Sequence, residues 1–379
     1  MAKVALIRAE SYDVNEVRGA VMRGMDLLGG AGKFAKPGQK VLLKPNLLTG
    51  EAPDKCVTTH PAVFRAAAEL FVQTGASVSF GDSPSIGSMK GAAKKAGLLQ
   101  VAEELGISEA DFSTPVEVFH EKGMQNRKFV IVKAVRDNDV IVSLPKLKTH
   151  ALEKYTGCVK NQFGCIPAFR KGEYHIKLPN ADDFARMLVD LNELVKPSLY
   201  IMDGIMAMEG NGPRGGKPRK MGVILLSEDP IALDATVCRL IDLDPELVPT
   251  IRYGFQAGAG EFREDRIELE GDDFSGFCLP DFDISRSPLK VYRLQGLTRF
   301  ASNRLVPKPV IVKEKCVSCG ECVALCPTSP KSVNWGTGGK TVPPVHNYVT
   351  CIRCYCCQEI CPEGAIILER PLLRRLIGA

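Results

Sequence analysis

CVSCGECVALCP (Cys316–Pro327) and CIRCYCCQEICP (Cys351–Pro362) are two copies of one pattern, Cys-x2-Cys-x2-Cys-x3-Cys-Pro, set 35 residues apart. A [4Fe–4S] cubane needs four thiolates converging on its corners. Three come from a short loop whose two-residue gaps turn the chain around the cluster. The fourth, three residues further on and before a proline, is expected to reach across to the other cluster. On that crossing Cys316, Cys319, Cys322 and Cys361 hold one cluster, and Cys351, Cys354, Cys357 and Cys326 hold the second.

This is the spacing of bacterial ferredoxins, and it suggests a protein that moves electrons. Zinc is the main alternative, since four-cysteine structural sites are common. Zinc ribbons, however, pair two Cys-x2-Cys units across a longer gap and have no use for the closing Cys-Pro. Cys356 lies inside the second copy and would break its spacing if used, so it is read as a free or supporting thiol.

Around this module the chain is long enough, at 379 residues, for two or three domains. With 45% hydrophobic and 25% charged residues it has an ordinary globular composition. No run approaches the length of a membrane span, and the opening MAKVALIRAE lacks the layout of a signal peptide. Eight of the 14 cysteines are assigned to clusters and the rest are scattered, which leads us to expect a reducing cytoplasm. The net charge of +5 is uneven: residues 286–379 hold fourteen Lys and Arg against five Asp and Glu. Two oxidised cubanes at about −2 each would offset much of that excess. No aromatic-rich basic motif of the nucleic-acid modules occurs, so no nucleic-acid partner is expected.

Residues 1–280 read as repeated strand-then-helix units. Buried parallel strands are expected at 4–7, 41–43, 78–80, 140–144, 199–202 and 223–226, with helices at 14–28, 61–73, 87–105, 182–195 and 230–241. The fold class is therefore α/β, a mostly parallel sheet with helices on both faces, followed by a small α+β two-cluster domain. Stretches 163–180 and 204–220 resist assignment. A linker is expected at 281–309, the cluster domain at 310–379, and a short basic amphipathic helix over its last residues, RPLLRRLIGA.

Polar residues of the large domain fall where apolar strands end. Lys44 and Asn46 follow the second strand, Asp82 the third, Lys146, Lys148 and His150 the fourth, and Asp203 the fifth. In open α/β sheets those ends share one rim, where ligands bind. Lys44, Lys146, Lys148 and Lys160 could neutralise carboxylate or phosphate. In TGCVKNQFG, Gly157 and Gly164 bracket Lys160 and Asn161, both able to donate to an anion. His60 reads equally as a helix cap or an acid–base group, whereas His150 and His175 stand beside lysines in polar segments. GNGPRGG (210–216) lacks both the P-loop and the Rossmann spacing; a lid or anion-binding nest is the modest reading. Asp229 before Pro230 reads as an N-cap.

Taken together, LLKPNLL, TTHPAVFRA, GDSP, LPKLKTH, TGCVKNQFG, MDGIMAMEGNGPRGG and DPIALDAT resemble the family called domain of unknown function 362. The resemblance implies an iron–sulfur protein of redox function. It also implies a distant similarity to the amino-terminal domain of nickel-dependent lactate racemases, hence an α/β fold and a small-acid pocket.

The expected activity is an oxidoreductase that relays electrons through two [4Fe–4S] clusters to a small anionic substrate or further cofactor in the large domain. Lys146, His150, Lys160, His175 and Asp203 would act in catalysis, and Lys44, Asn46, His60, Asp82, Lys148 and Asn161 in binding. A redox partner protein would exchange electrons with the clusters, and an added flavin or metal is left open. The alternatives are a dedicated electron carrier docking a partner enzyme, an isomerase or racemase with structural clusters, and a metal-delivery role suggested by Cys158 and Cys165 near His175.

Overall fold

In the computed structural model, residues 1–287 and 306–369 are described. Most of the expected linker and the expected C-terminal helix lie outside those residues. Twelve strands serve the large domain: β1 (Ala2–Arg8), β2 (Lys40–Pro45), β3 (Ser77–Phe80), β4 (Ser108–Glu109), β5 (Pro115–Phe119), β6 (Lys128–Val132), β7 (Val140–Leu144), β8 (Lys146–His150), β9 (Lys154–Thr156), β10 (Leu199–Glu209), β11 (Lys217–Ser227) and β12 (Ile267–Gly271). The main sheet runs β12-β1-β11-β10-β7-β2-β3-β4, with β8 and β9 attached beside β10. β5 and β6 form a separate hairpin.

Strand alternation explains why both faces are covered. Val4 and Leu6 join one core, while Ala5 and Ile7, pointing oppositely, join the other. Helices Val14–Leu27, Pro61–Gln73 and Leu98–Leu105 pack on the second face. Ala181–Val195, Pro230–Leu240 and Pro249–Gln256 cover the first. Asp13 starts its helix by accepting from Asn15 and Glu16 N–H at 3.0 Å, and Asp229 does the same for Ile231 and Ala232 at 2.9 Å. The helix expected over 87–105 is two, Met89–Lys95 and Leu98–Leu105, broken at Gly97.

One strand expected to be parallel is antiparallel. β11 pairs antiparallel with both β1 and β10. The reason is connection length: seven residues, 210–216, join β10 to β11, and a parallel return needs a crossover of about a dozen or more. The unassigned stretch 204–220 is thus a long hairpin, and within 163–180 a helix forms at Ala168–Lys177.

In the small domain Lys308–Ile311 pairs antiparallel with Ile366–Glu369, and Val333–Asn334 with Val345–His346. The two cysteine loops follow one backbone path. Ser318 and Gly320 in the first, and Arg353 and Tyr355 in the second, all stand at positive φ, between 54° and 79°. Among the described residues no helix is long and apolar enough to cross a membrane.

Candidate functional site: a cavity between the sheet rim and the cluster loops

β8 decides the site. Its five residues are buried although three are Lys146, Lys148 and His150. Alternation sends these three to one face and Leu147 into the core. Such charges persist only with partners, and the partners divide them into two groups.

Lys146 belongs to a closed network. Its Nζ donates to Asp203 Oδ2 and to the Tyr12 hydroxyl, both at 2.8 Å, and the hydroxyl donates to Asp203 Oδ1 at 2.7 Å. The His60 backbone N–H reaches Asp203 Oδ2 at 2.9 Å. The His60 ring stacks on Tyr12 at 3.5 Å, and its Nδ1 accepts from Ala62 N–H as a helix cap. Burial, only partly offset by Asp203, takes His60 down to about 4. Lys146, Asp203 and His60, expected at the site, do not line the cavity. Lys44 is likewise set back, 2.9 Å from Asp82 Oδ1.

The other expected residues meet around a cavity of about 120 Å³. Asn46, Asp82, Lys148 and His150 come from the strand ends, Lys160 and Asn161 from the turn Cys158–Asn161, and His175 from the helix Ala168–Lys177. Lys148 Nζ donates to Asn46 Oδ1 at 2.8 Å and to Val57 O at 2.7 Å; Asn46 Nδ2 donates to Asn161 Oδ1 at 3.1 Å. Burial first, then Lys160 and Lys146, push Lys148 well below its ordinary range. Lys160 lies 5.4 Å from the Phe163 ring centroid.

The glycines around Lys160 and Asn161 explain the odd TGCVKNQFG stretch. A Cβ on Gly157 would fall 2.1 Å from Asp234 Oδ1, and one on Gly164 would fall 1.8 Å from Asp82 Oδ1. Each lets the backbone close on a buried carboxylate. Asp234 accepts from Cys158 N–H at 2.8 Å and so fixes the turn carrying Lys160. Burial, against those backbone donors, lifts its carboxyl to about 7.

The cavity's far wall comes from the small domain: Leu325, Cys356, Glu359 and Ile360. Glu359 Oε1 stands 3.1 Å from His150 Nε2, near but not aligned for a hydrogen bond. His150 Nδ1 accepts from the Leu152 and Glu153 N–H groups, both at 3.1 Å. It therefore carries no proton, and the ring is neutral with its N–H toward Glu359. Burial lowers His150 further. For Glu359, burial acts upward, but the facing His150 ring and Lys160 hold it ionised. His175 stacks on Phe184 at 4.6 Å, and burial brings it to about 4. Its Nδ1 and the Thr156 hydroxyl, both on the cavity wall, are buried without a protein partner.

Sequence reading missed Lys171, Glu359 and the placement of Cys356. Lys171 is half-buried, donates to the Ser83 carbonyl, and is brought down to about 8 by burial, against Asp82 and together with Lys44 and Lys160. A lone lysine in an unassigned stretch gave no signal. GNGPRGG is neither lid nor nest but the seat of the small domain. Asn211 donates to Gly364 O and Ile366 O at 3.2 and 3.0 Å, and Gln358 donates to Asn211 Oδ1 at 2.7 Å. Arg214 joins Glu51 to Glu321 and to the Ile360 carbonyl.

Of the cluster cysteines, Cys316, Cys319, Cys322 and Cys361 line one cavity with Ile311, Val317 and Ile366. Burial first, then the Cys361, Cys319 and Cys316 thiols, lift Cys322 to about 12. Cys357 is raised by burial and by Cys354, Cys351, Cys322 and Cys326. Soft thiols around an apolar space fit an iron–sulfur cluster. Among the described residues no three His, Cys, Asp or Glu side chains converge as a single metal ion requires.

The family model described as domain of unknown function (DUF362) matches residues 41–239. The chain belongs to that family. A 4Fe-4S dicluster domain matches residues 308–363, making this an iron–sulfur protein. A thylakoid-associated protein of Synechocystis is 38% identical over 268 residues, 68% of this chain and 81% of the relative. An uncharacterized protein of Porphyra purpurea is 37% identical over 70 residues, 17% of this chain and 91% of its own length. Among solved structures, the lactate racemase apoprotein from Thermoanaerobacterium thermosaccharolyticum is similar with a TM-score of 0.40 and 12% identity, over 61% of this chain and 55% of that one. A Thermotoga maritima protein gives 0.37 and 11%, over 59% and 57%. The chain spans little more than half of those two structures.

Proposed function

We propose that this member of the family is an oxidoreductase that passes electrons from its cluster domain to a small anionic substrate held in the cavity between the domains. The observation carrying this reading is the shared wall. Lys148, His150, Lys160 and His175 come from the large domain, whereas Leu325 and Cys356 come from the small one. Those two residues immediately precede Cys326 and Cys357, proposed ligands of one and the same cluster.

The clusters, held by the two sets of four cysteines, would supply one-electron transfer. The residues of the chain do the rest. Lys148 and Lys160 stand where negative charge would grow on an anion that gains electrons, and do so in a poorly solvated space. Asn46 and Asn161 hold Lys148 in place through their side-chain chain of hydrogen bonds. Phe163, Leu325 and Ile360 limit water. His175, neutral and with a free ring nitrogen, can hold or move a proton at Nδ1. The opposite loop, where Cys319 and Val317 are exposed, offers an external redox protein its approach.

The test is anaerobic purification with iron analysis, followed by paramagnetic resonance of the dithionite-reduced protein with and without small carboxylates. A carboxylate-dependent change in one of two cluster signals, lost in Lys160→Met, is expected. Spectra indifferent to every anion tried, or zinc in place of iron, would defeat the reading.

A further inference from the structure

We infer that the ligand of the interdomain cavity is a small organic dianion of the dicarboxylate class. This deepens the anion-binding part of the function proposed above and rests on it.

The first argument is charge. Lys148, Lys160 and Lys171 all line the cavity. Among the described residues, none of them has a carboxylate within ion-pair distance. Lys148 is 1% exposed and donates only to the neutral oxygens of Asn46 and Val57. Lys171 donates to the neutral Ser83 carbonyl. Of the two acids on the same wall, Asp82 is paired with Lys44 at 2.9 Å, while Glu359, 3.1 Å from the neutral His150 ring, keeps its charge. Buried ammonium groups want anionic partners. Three lysines against the one uncompensated carboxylate of Glu359 still leave more positive charge than a single bound carboxylate cancels.

The second argument is an unmet hydrogen-bonding need. His175 Nδ1 and Thr156 Oγ1 are buried on this wall without protein partners. Such atoms in a native fold point to a water or a ligand group. Both can bond an oxygen of a carboxylate or carbonyl, so the polar demand is spread over the wall rather than gathered at one point.

Size and surface complete the class. A cavity of about 150 Å³ takes benzene, so about 120 Å³ suits a body of roughly six non-hydrogen atoms. A flavin or dinucleotide does not fit inside it. Phe163, Leu325 and Ile360 give part of the wall an apolar face, which suits a carbon backbone between two charged ends and not a bare inorganic oxyanion.

The experiment is calorimetric titration of the anaerobic, cluster-loaded full chain with malonate, acetate, sulfate and phosphate, repeated on Lys160→Met and Lys171→Met. Malonate is expected to bind roughly tenfold or more tightly than acetate and more tightly than either inorganic ion, the difference of about one charge-assisted contact. Each variant should cut malonate affinity by a similar factor while its melting temperature stays close to that of the parent. Should one variant fail to fold, the other still reads the same contact. Equal affinities for acetate and malonate would overturn the dianion class while leaving an anion pocket standing. Sulfate or phosphate binding as tightly as malonate would overturn the organic class. Heat from none of the four anions would overturn both this inference and the anion-binding reading beneath it.

Discussion

Glu359 of the second cysteine loop places its carboxylate 3.1 Å from Nε2 of His150, at the end of β8 in the other domain. The contact joins the cluster-bearing unit to the cavity by a single acidic side chain. Glu359 sits among the cavity's lysines, held ionised against burial by the facing His150 ring and Lys160. It therefore acts on any incoming anion as a like charge.

Removing that charge without changing shape gives the first prediction. Glu359→Gln is expected to strengthen binding of a small dicarboxylate by about three- to tenfold, the effect of one partly screened neighbouring charge. Calorimetry on parent and variant at equal ionic strength checks it. A weaker-binding variant would mean that Glu359 helps to hold the ligand.

Acid stability follows from His175. Its ordinary value of 6.5 falls to about 4 in the fold, through burial first, with Lys160, His150 and Lys171 acting downward and Glu359 upward. Between those two values the unfolded chain binds more protons than the folded one, so stability must fall as pH drops from about 6.5 towards 4. The loss is on the order of 3 kcal/mol by the lower limit. His175→Phe, which keeps a ring against Phe184, should flatten that limb in denaturant titrations at stepped pH. An unchanged slope would place the proton uptake elsewhere.

Arg214 is the main clasp between the domains. It is 9% exposed and joins Glu51 to Glu321. Arg214→Ala leaves Glu321 without its cation and Glu51 with Lys95 alone, and should weaken docking by on the order of 2 kcal/mol. Differential scanning calorimetry should then show the small domain melting apart from the large one, and limited proteolysis should release it. A single unchanged transition would show that the Asn211 and Gln358 contacts suffice.

Cluster ligation separates two neighbouring thiols. Cys361 lies in the cavity of Cys316, Cys319 and Cys322, whereas Cys356 faces the interdomain cavity. Cys361→Ser is expected to lose about half the iron. Cys356→Ser should retain all of it. Iron and sulfide analysis of anaerobically purified variants decides, and iron loss from Cys356→Ser would make that thiol a ligand.

How much of this was legible beforehand differs from residue to residue. The helix Pro61–Gln73 and the strand Val140–Leu144 have the expected bounds, because their apolar periodicity and flanking caps are local. The direction of β11 was not legible, since pairing depends on which strand it returns beside. Lys146 and Lys148 look alike in LPKLKTH. Only their neighbours tell them apart, a carboxylate 2.8 Å away for one and an asparagine for the other.

The sequence by itself determined the repeated cysteine loops and the alternation of strand and helix, because both are set by spacing along the backbone. The tertiary structure alone decided that Lys171, Cys356 and Glu359 share one cavity, and that GNGPRGG seats the small domain. Those groups lie far apart along the chain. Only packing the cluster loops onto the sheet's carboxyl rim puts them within reach, and charge interaction depends on distance in space, which residue order does not encode.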